Sequence, residues 1–238
     1  NAVATFTYDT ANYNTIADMN AVLTINKAKV ALPEATSFVY DGTAHTAVAS
    51  HDLYTVEGAT ATVVGSYEAV ITLKDTANYE WAEEFNGTIE WSIAKAQLTV
   101  TANDEEVTYG DLAPSYTVTY NGFVNNETKE VLGGELSFVC EYEKTSNVGN
   151  YAIVASGYTS NNYEITYVNG SIKVNQKEVG LTWGEVEFIY NGVNQLPTAT
   201  ATGLVNNDEC LVTVTGEKVN VGEYEATASS LSNSNYKL

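Results

Sequence analysis

The sequence predicts a mainly β protein, a tandem array of small β-sheet or β-sandwich repeats with at most one short helix per repeat, and three observations carry that prediction. First, the string Val-Gly-x-Tyr recurs at 64–67, 148–151 and 221–224. Each copy is followed by an Asn-Tyr pair at 78–79, 162–163 and 235–236, with the two tyrosines 12 positions apart every time. A fixed offset inside otherwise diverged stretches is the signature of a repeat array. Second, stretches rich in Thr, Val and Tyr alternate in polarity, as at 67–73 and 115–120, which is the period of half-buried strands. Third, Asp-Gly, Asn-Gly and Gly-Asp steps separate those stretches and supply the positive φ that tight turns require.

Taken from the N-terminus, residues 1–28 read as the closing hairpin of a truncated repeat, with Asn12-Tyr13 as its anchor pair. Residues 29–96 and 97–176 each hold a complete set of elements. An aromatic turn opens them (38–42 and 107–111), the two tyrosine anchors follow, and a closing strand (89–95 and 172–176) runs into a lysine or glutamine joint at Lys95 or Gln176, as 22–27 does at Lys27. Residues 177–238 repeat the order, with the aromatic turn at 188–192, but reach Leu238 before a closing strand. The expected picture is a segment of a longer array.

One short helix is expected near 126–132, because Asn126 can cap it, Glu127 and Glu130 suit its positive end and Gly133 can terminate it. A weaker relative is expected at 206–209. Repeats of this size sit near the lower limit for an independent core, so packing between neighbours should matter. Within the β class, an immunoglobulin-like sandwich and a grasp-like sheet wrapped on a helix both remain open.

Composition narrows the partners. The formal net charge is -20 over 238 residues, from 30 acidic groups against 10 basic ones. Such a field repels phosphate backbones and anionic lipid, so nucleic-acid and membrane-surface binding are disfavoured. No apolar run approaches the length of about 20 residues that spans a bilayer. The two cysteines, Cys140 and Cys210, fall at non-equivalent repeat positions and are read as free thiols, with Cys140 the more buried.

The turns at 40–42 and 109–111, the stretch 122–126 with 132–134, the Val-Gly-x-Tyr and Asn-Tyr anchors and the closing Ile-x-Lys strand resemble the MBG repeats of bacterial surface proteins, in YDG-type and YGX-type forms. The resemblance covers essentially the whole chain. It implies repeated extracellular β domains of adhesin-like or stalk-like proteins at the bacterial cell surface, and it brings no catalytic residue with it.

The residues themselves offer little chemistry. His45 and His51 lie six positions apart in a polar stretch, a spacing that on a strand would give a weak metal site, but a solvated pair is the simpler reading. The acidic runs 103–106 and 206–209 could hold calcium, yet they lack the spacing and central glycine of a calcium loop. Glu83-Glu84 and Glu141 with Glu143 form no recognisable glycosidase pair. Tyr67, Tyr151, Tyr224, Tyr79, Tyr163 and Tyr236 recur at fixed places and are assigned to packing, with their hydroxyls on backbone partners. Trp81, Trp91 and Trp183 do not repeat and are candidates for stacking on sugars. Lys27 and Lys95 could supply an isopeptide crosslink, but Gln176 at the next joint argues for packing. No catalytic, cofactor-binding or metal-ligating residue is assigned and no cofactor is expected.

The function expected is a non-catalytic extracellular segment acting as stalk, spacer or adhesive surface, with environmental or host glycans and proteins as partners. The rival readings are a glycan-binding module and accessory domains of a secreted hydrolase. The apolar face of Met19, Ala21, Leu23 and Ile25 also suits head-to-tail strand donation into the unclosed repeat at 177–238.

Overall fold

A computed structural model describes Ala11 and residues 21–238. The hairpin expected over 1–28, with Asn12, Tyr13 and Met19, lies largely outside those residues. The chain divides into two compact units, residues 1–95 and 96–238. Both are built from strands, and the described helix content is a single 3-10 turn, Lys129–Val131.

In the first unit a four-stranded sheet runs in the order Phe38–Val39, Thr88–Ala94, Gly65–Leu73, Tyr54–Glu57. The closing strand Thr88–Ala94 pairs in parallel with Phe38–Val39 on one side and antiparallel with Gly65–Leu73 on the other. Alternation decides what faces inward: Ala69 and Ile71 are buried while Glu68, Val70 and Thr72 are exposed. Trp91 and Ile93 bury the same face of the closing strand. Gly58 is required beneath them, since its φ is +71° and a Cβ there would lie 2.5 Å from the Glu68 carbonyl oxygen.

The second unit begins with two sheets. One runs Glu105–Thr108, Gly170–Asn175, Gly149–Thr159, Gly133–Val139, and the other Val118–Asn121, Ala96–Ala102, Tyr163–Val168. Ile153, Ala155, Ile172 and Val174 from the first sheet meet Ala102 from the second in one apolar cluster. Full burial of each large aliphatic stabilises by roughly 1.5–3 kcal/mol. Strands of both sheets contribute to that layer, and the one described helical element of this unit is the 3-10 turn Lys129–Val131.

Residues 177–238 add three two-stranded pairs: Lys177–Glu178 with Tyr236–Lys237, Gly180–Trp183 with Ala199–Thr202, and Val212–Thr215 with Thr227–Leu231. The apolar cluster continues into them through Val179, Ala201, Cys210 and Tyr236.

Two expectations are corrected here. The helix near 126–132 shrinks to Lys129–Val131, capped by Thr128 rather than Asn126. Asn125 and Asn126 both take left-handed backbone, φ 49° and 56°, which turns the chain and cannot cap a helix; Gly133 starts the next strand. At 206–209 there is a turn of the same kind, with Asn206 and Asn207 at φ 58° and 59°. The cysteines are free, but Cys210 is the buried one and Cys140 is half-buried. Cys140 falls just beyond the strand Gly133–Val139, whereas Cys210 sits inside the shared cluster.

Candidate functional site: the tyrosine anchors and the seam between repeats

The same backbone bond follows every joint. Ala28 N donates to Asn78 O at 2.9 Å, Ala96 N to Asn162 O at 3.0 Å and Lys177 N to Asn235 O at 3.0 Å. In each case the strand after the joint runs parallel to the strand at the Asn-Tyr anchor, with Ala28, Ala96 and Lys177 in register with Tyr79, Tyr163 and Tyr236. At two of the joints the side chain supports that turn: Lys27 Nζ donates to Thr76 O at 2.6 Å, and Gln176 Nε2 to Ser234 O at 2.9 Å and Tyr236 O at 3.2 Å. Lysine and glutamine are interchangeable there because both are long side chains ending in an N–H donor.

The Val-Gly-x-Tyr tyrosines form corners. Tyr67 Oη donates to Val63 O at 2.7 Å and Tyr151 Oη to Asn147 O at 2.8 Å, four residues upstream in both cases. Tyr224 departs from this, reaching Val221 O at 3.4 Å, and it is 51% exposed.

Two of the Asn-Tyr tyrosines, Tyr163 and Tyr236, fix the Asn-Asn turns. Tyr163 Oη accepts from Val124 N at 3.1 Å and donates to Glu127 Oε2 at 2.5 Å; Tyr236 Oη accepts from Val205 N at 2.9 Å and donates to Asp208 Oδ2 at 2.9 Å. Asp208 Oδ2 also accepts from Tyr109 Oη at 2.8 Å, so one carboxylate ties the aromatic turn of one repeat to the anchor of the next. The Tyr109 and Tyr236 rings meet edge to face at 5.4 Å. Asn235, buried, adds two bonds across the same seam, accepting from Val148 N at 3.0 Å and donating to Asn147 Oδ1 at 2.9 Å. Val205 closes it over Gly110, where a Cβ would stand 2.5 Å from Val205 Cγ2. Burial pushes the Tyr236 phenol up to about 12, with the Asp208 carboxylate adding to the effect, and burial raises Tyr109 likewise.

A family model for the MBG domain (YGX type) matches residues 98–173 and 185–238, the two stretches that meet at this seam. The chain belongs to the MBG domain (YGX type) family. No curated protein and no solved structure matches the chain. The first repeat lies outside the two matched stretches, but shares the parallel pairing after the joint and the corner tyrosine with the MBG repeats that follow.

The remaining candidates separate. His45 Nε2 lies 2.9 Å from Asp41 Oδ1 and its ring stacks on Phe38, while His51 stacks on Tyr54; each has its own partners. Among the described residues no group of three or more His, Cys, Asp or Glu is placed to hold a metal. The acidic run 103–106 is spent on the closing strand: Asp104 Oδ1 accepts from Ser171 N and Oγ at 2.7 and 2.9 Å, and Glu106 bonds Lys173 and Asn175. Those two hydrogen bonds, Lys173 foremost, hold the Glu106 carboxyl below its usual range. Glu141 and Glu143 are exposed on either side of buried Tyr142.

Of the tryptophans, Trp91 is a core residue, stacked on Tyr67 at 4.7 Å with Nε1 donating to Gly58 O, so it cannot stack on a sugar. Trp81 packs among Tyr54 and Phe85. Trp183 is exposed. Asp208 and Glu127 were missed as tyrosine partners. The shared string Asn-Asn-acid at 125–127 and 206–208 was the signal that could have found them.

Proposed function

We propose that this MBG segment is a non-catalytic spacer in an extracellular bacterial surface protein, where consecutive β repeats hold a working domain away from the cell or form the adhesive surface themselves. The observation that supports the reading is the seam at Tyr109, Asp208 and Tyr236, where two repeats separated by the single joint residue Gln176 share buried aromatic rings and one carboxylate. A connection of that kind suppresses independent motion of the two repeats, which is what a spacer needs. The strongly acidic surface keeps such a segment soluble and unattached to phosphate-bearing polymers. No helix among the described residues is long and apolar enough to cross a membrane.

Backbone 15N relaxation on residues 97–238, combined with a glycan array, tests the reading. The expected result is one tumbling time for both repeats and no retained sugar. Independent tumbling of the two repeats, or sugar binding lost on Trp183→Ala, would overturn it in favour of a flexible linker or a glycan-binding module.

A further inference from the structure

The aromatic turn takes two forms in this chain. In the first repeat it reads Tyr40-Asp41-Gly42 and in the third Tyr190-Asn191-Gly192, with a positive φ of 78° at Gly42 and at Gly192 alike. The middle side chain serves the turn itself: Asp41 Oδ1 accepts from Thr43 N at 2.9 Å and Asn191 Oδ1 from Val193 N at 3.1 Å. In the second repeat the turn reads Tyr109-Gly110-Asp111. The positive φ, 89°, moves one place earlier to Gly110, and Asp111 Oδ2 reaches back to accept from Thr108 N at 3.0 Å. The tyrosines themselves are equivalent, since Tyr40 N donates to Ala94 O and Tyr109 N to Asn175 O, both at 2.9 Å and both at the end of a closing strand.

What the second form adds is room beside the tyrosine. A Cβ at residue 110 would stand 2.5 Å from Val205 Cγ2, 3.1 Å from Val205 Cβ and 3.3 Å from Val205 Cγ1. Rotation about χ1 moves the two methyls but leaves the valine Cβ in place, so no rotamer opens the gap. The valine main chain cannot withdraw either, because Val205 N donates to Tyr236 Oη at 2.9 Å and Val205 O accepts from Asp208 N at 3.0 Å. The same Tyr236 and Asp208 hold Tyr109, so one set of groups fixes the turn and the valine against each other.

We infer that Gly110 is the specificity-determining residue of the seam: the face formed by Val205, Asp208 and Tyr236 admits a neighbouring repeat whose turn reads Tyr-Gly and excludes one whose turn reads Tyr-Asp-Gly or Tyr-Asn-Gly. In the excluded form the place of Gly110 carries a Cβ, and its side chain is committed to its own loop. Discrimination by a built-in clash against the wrong neighbour is how an interface selects among similar partners. This selectivity resides in the seam alone and does not depend on the segment being a spacer.

Hydrogen exchange on the 238-residue chain tests the inference at two seam amides, Val205, which donates to Tyr236 Oη, and Val148, which donates to Asn235 Oδ1, with the ladder amides of 171–174 as internal reference. Gly110→Ala should speed exchange at both seam amides by about tenfold or more, and adding Val205→Ala should restore part of that protection by removing the methyls that the new Cβ meets. A glycine needed only for its own positive φ gives losses that add, with no restoration, and that result overturns the inference. The paired change Gly110→Asp, Asp111→Gly writes the turn of the first repeat into the second without forcing a side chain into positive φ. It should cost the seam amides a similar factor while the 171–174 ladder keeps its protection. Seam amides as protected as in the parent chain overturn the inference, since either turn then fits. Should the paired change open the ladder as well, restoration by Val205→Ala decides between the two outcomes.

Discussion

The second and third repeats, 97–176 and 177–238, carry the same turn and anchor motifs in the same order, but a closing strand is described only in the second. In the second, Gly170–Asn175 lies between Glu105–Thr108 and Gly149–Thr159, Tyr151 makes its corner bond at 2.8 Å, and Tyr109 is buried against Tyr236 and Asp208 of the repeat that follows. In the third, no described strand lies between the aromatic turn and the Val-Gly-x-Tyr stretch, Tyr190 is exposed and the Tyr224 bond stretches to 3.4 Å. What stays the same is equally informative. Tyr236 is buried and bonded as Tyr163 is, because its partners come from its own Asn-Asn turn and from the neighbouring repeat. The closing strand orders one end of a repeat; the seam orders the other.

The largest expected effect comes from dislodging the closing strand of the second repeat. Ile172→Asp places a carboxylate at a fully buried position and should cost more than about 4 kcal/mol, enough to unfold a repeat of this size. Amides at 105–108 and 149–153 should then exchange as fast as those at 223–226 in the parent chain. Protection that survives would show that something other than the closing strand holds the walls together.

A smaller effect is expected at the seam. Tyr236→Phe leaves the Val205 amide and part of the Asp208 carboxylate without their partner and should cost about 1–3 kcal/mol in urea denaturation followed at Trp183. Tyr190→Phe, at an exposed ring, should stay within about 0.5 kcal/mol. Equal costs would mean that the seam contributes no more than a surface.

The seam should also respond to alkali. The folded pKa of Tyr236 is raised to about 12, above the ordinary value of about 10 for a tyrosine. The folded state therefore holds its proton more tightly, so this contribution is complete below about pH 10 and is lost as pH rises through about 12. Tyr109 shifts in the same direction. A denaturation series should show the seam weakening in that window, and Tyr236→Phe should flatten the slope. The smallest effect is expected from Glu106→Gln. It removes a surface ion pair with Lys173, 55% and 65% exposed at the two side chains, and should leave the denaturation midpoint unmoved.

Much of this was legible in the chain. Period-two alternation placed the strands around Ala69, Ile71, Ile153 and Ile172, and the joints at Lys27, Lys95 and Gln176 each precede a strand that pairs with an Asn-Tyr anchor. The rest depended on contacts distant in sequence. Tyr109 and Asp208 meet across 99 positions, and nothing local to either predicts it. Asn125-Asn126 reads as a cap because asparagine suits caps and left-handed turns alike; Tyr163 above it decides for the turn. Trp91 looked free to face solvent because it does not repeat, but Gly58 makes room beneath it.

The parallel ladder of the second repeat has a mechanical consequence. Tension along the chain draws Glu105–Thr108 toward the N-terminus and Gly170–Asn175 toward the C-terminus, and because these strands are parallel they must slide past one another. Four register pairs, from Glu105 with Ile172 to Thr108 with Asn175, then bear the load in shear and fail together rather than unzipping one at a time.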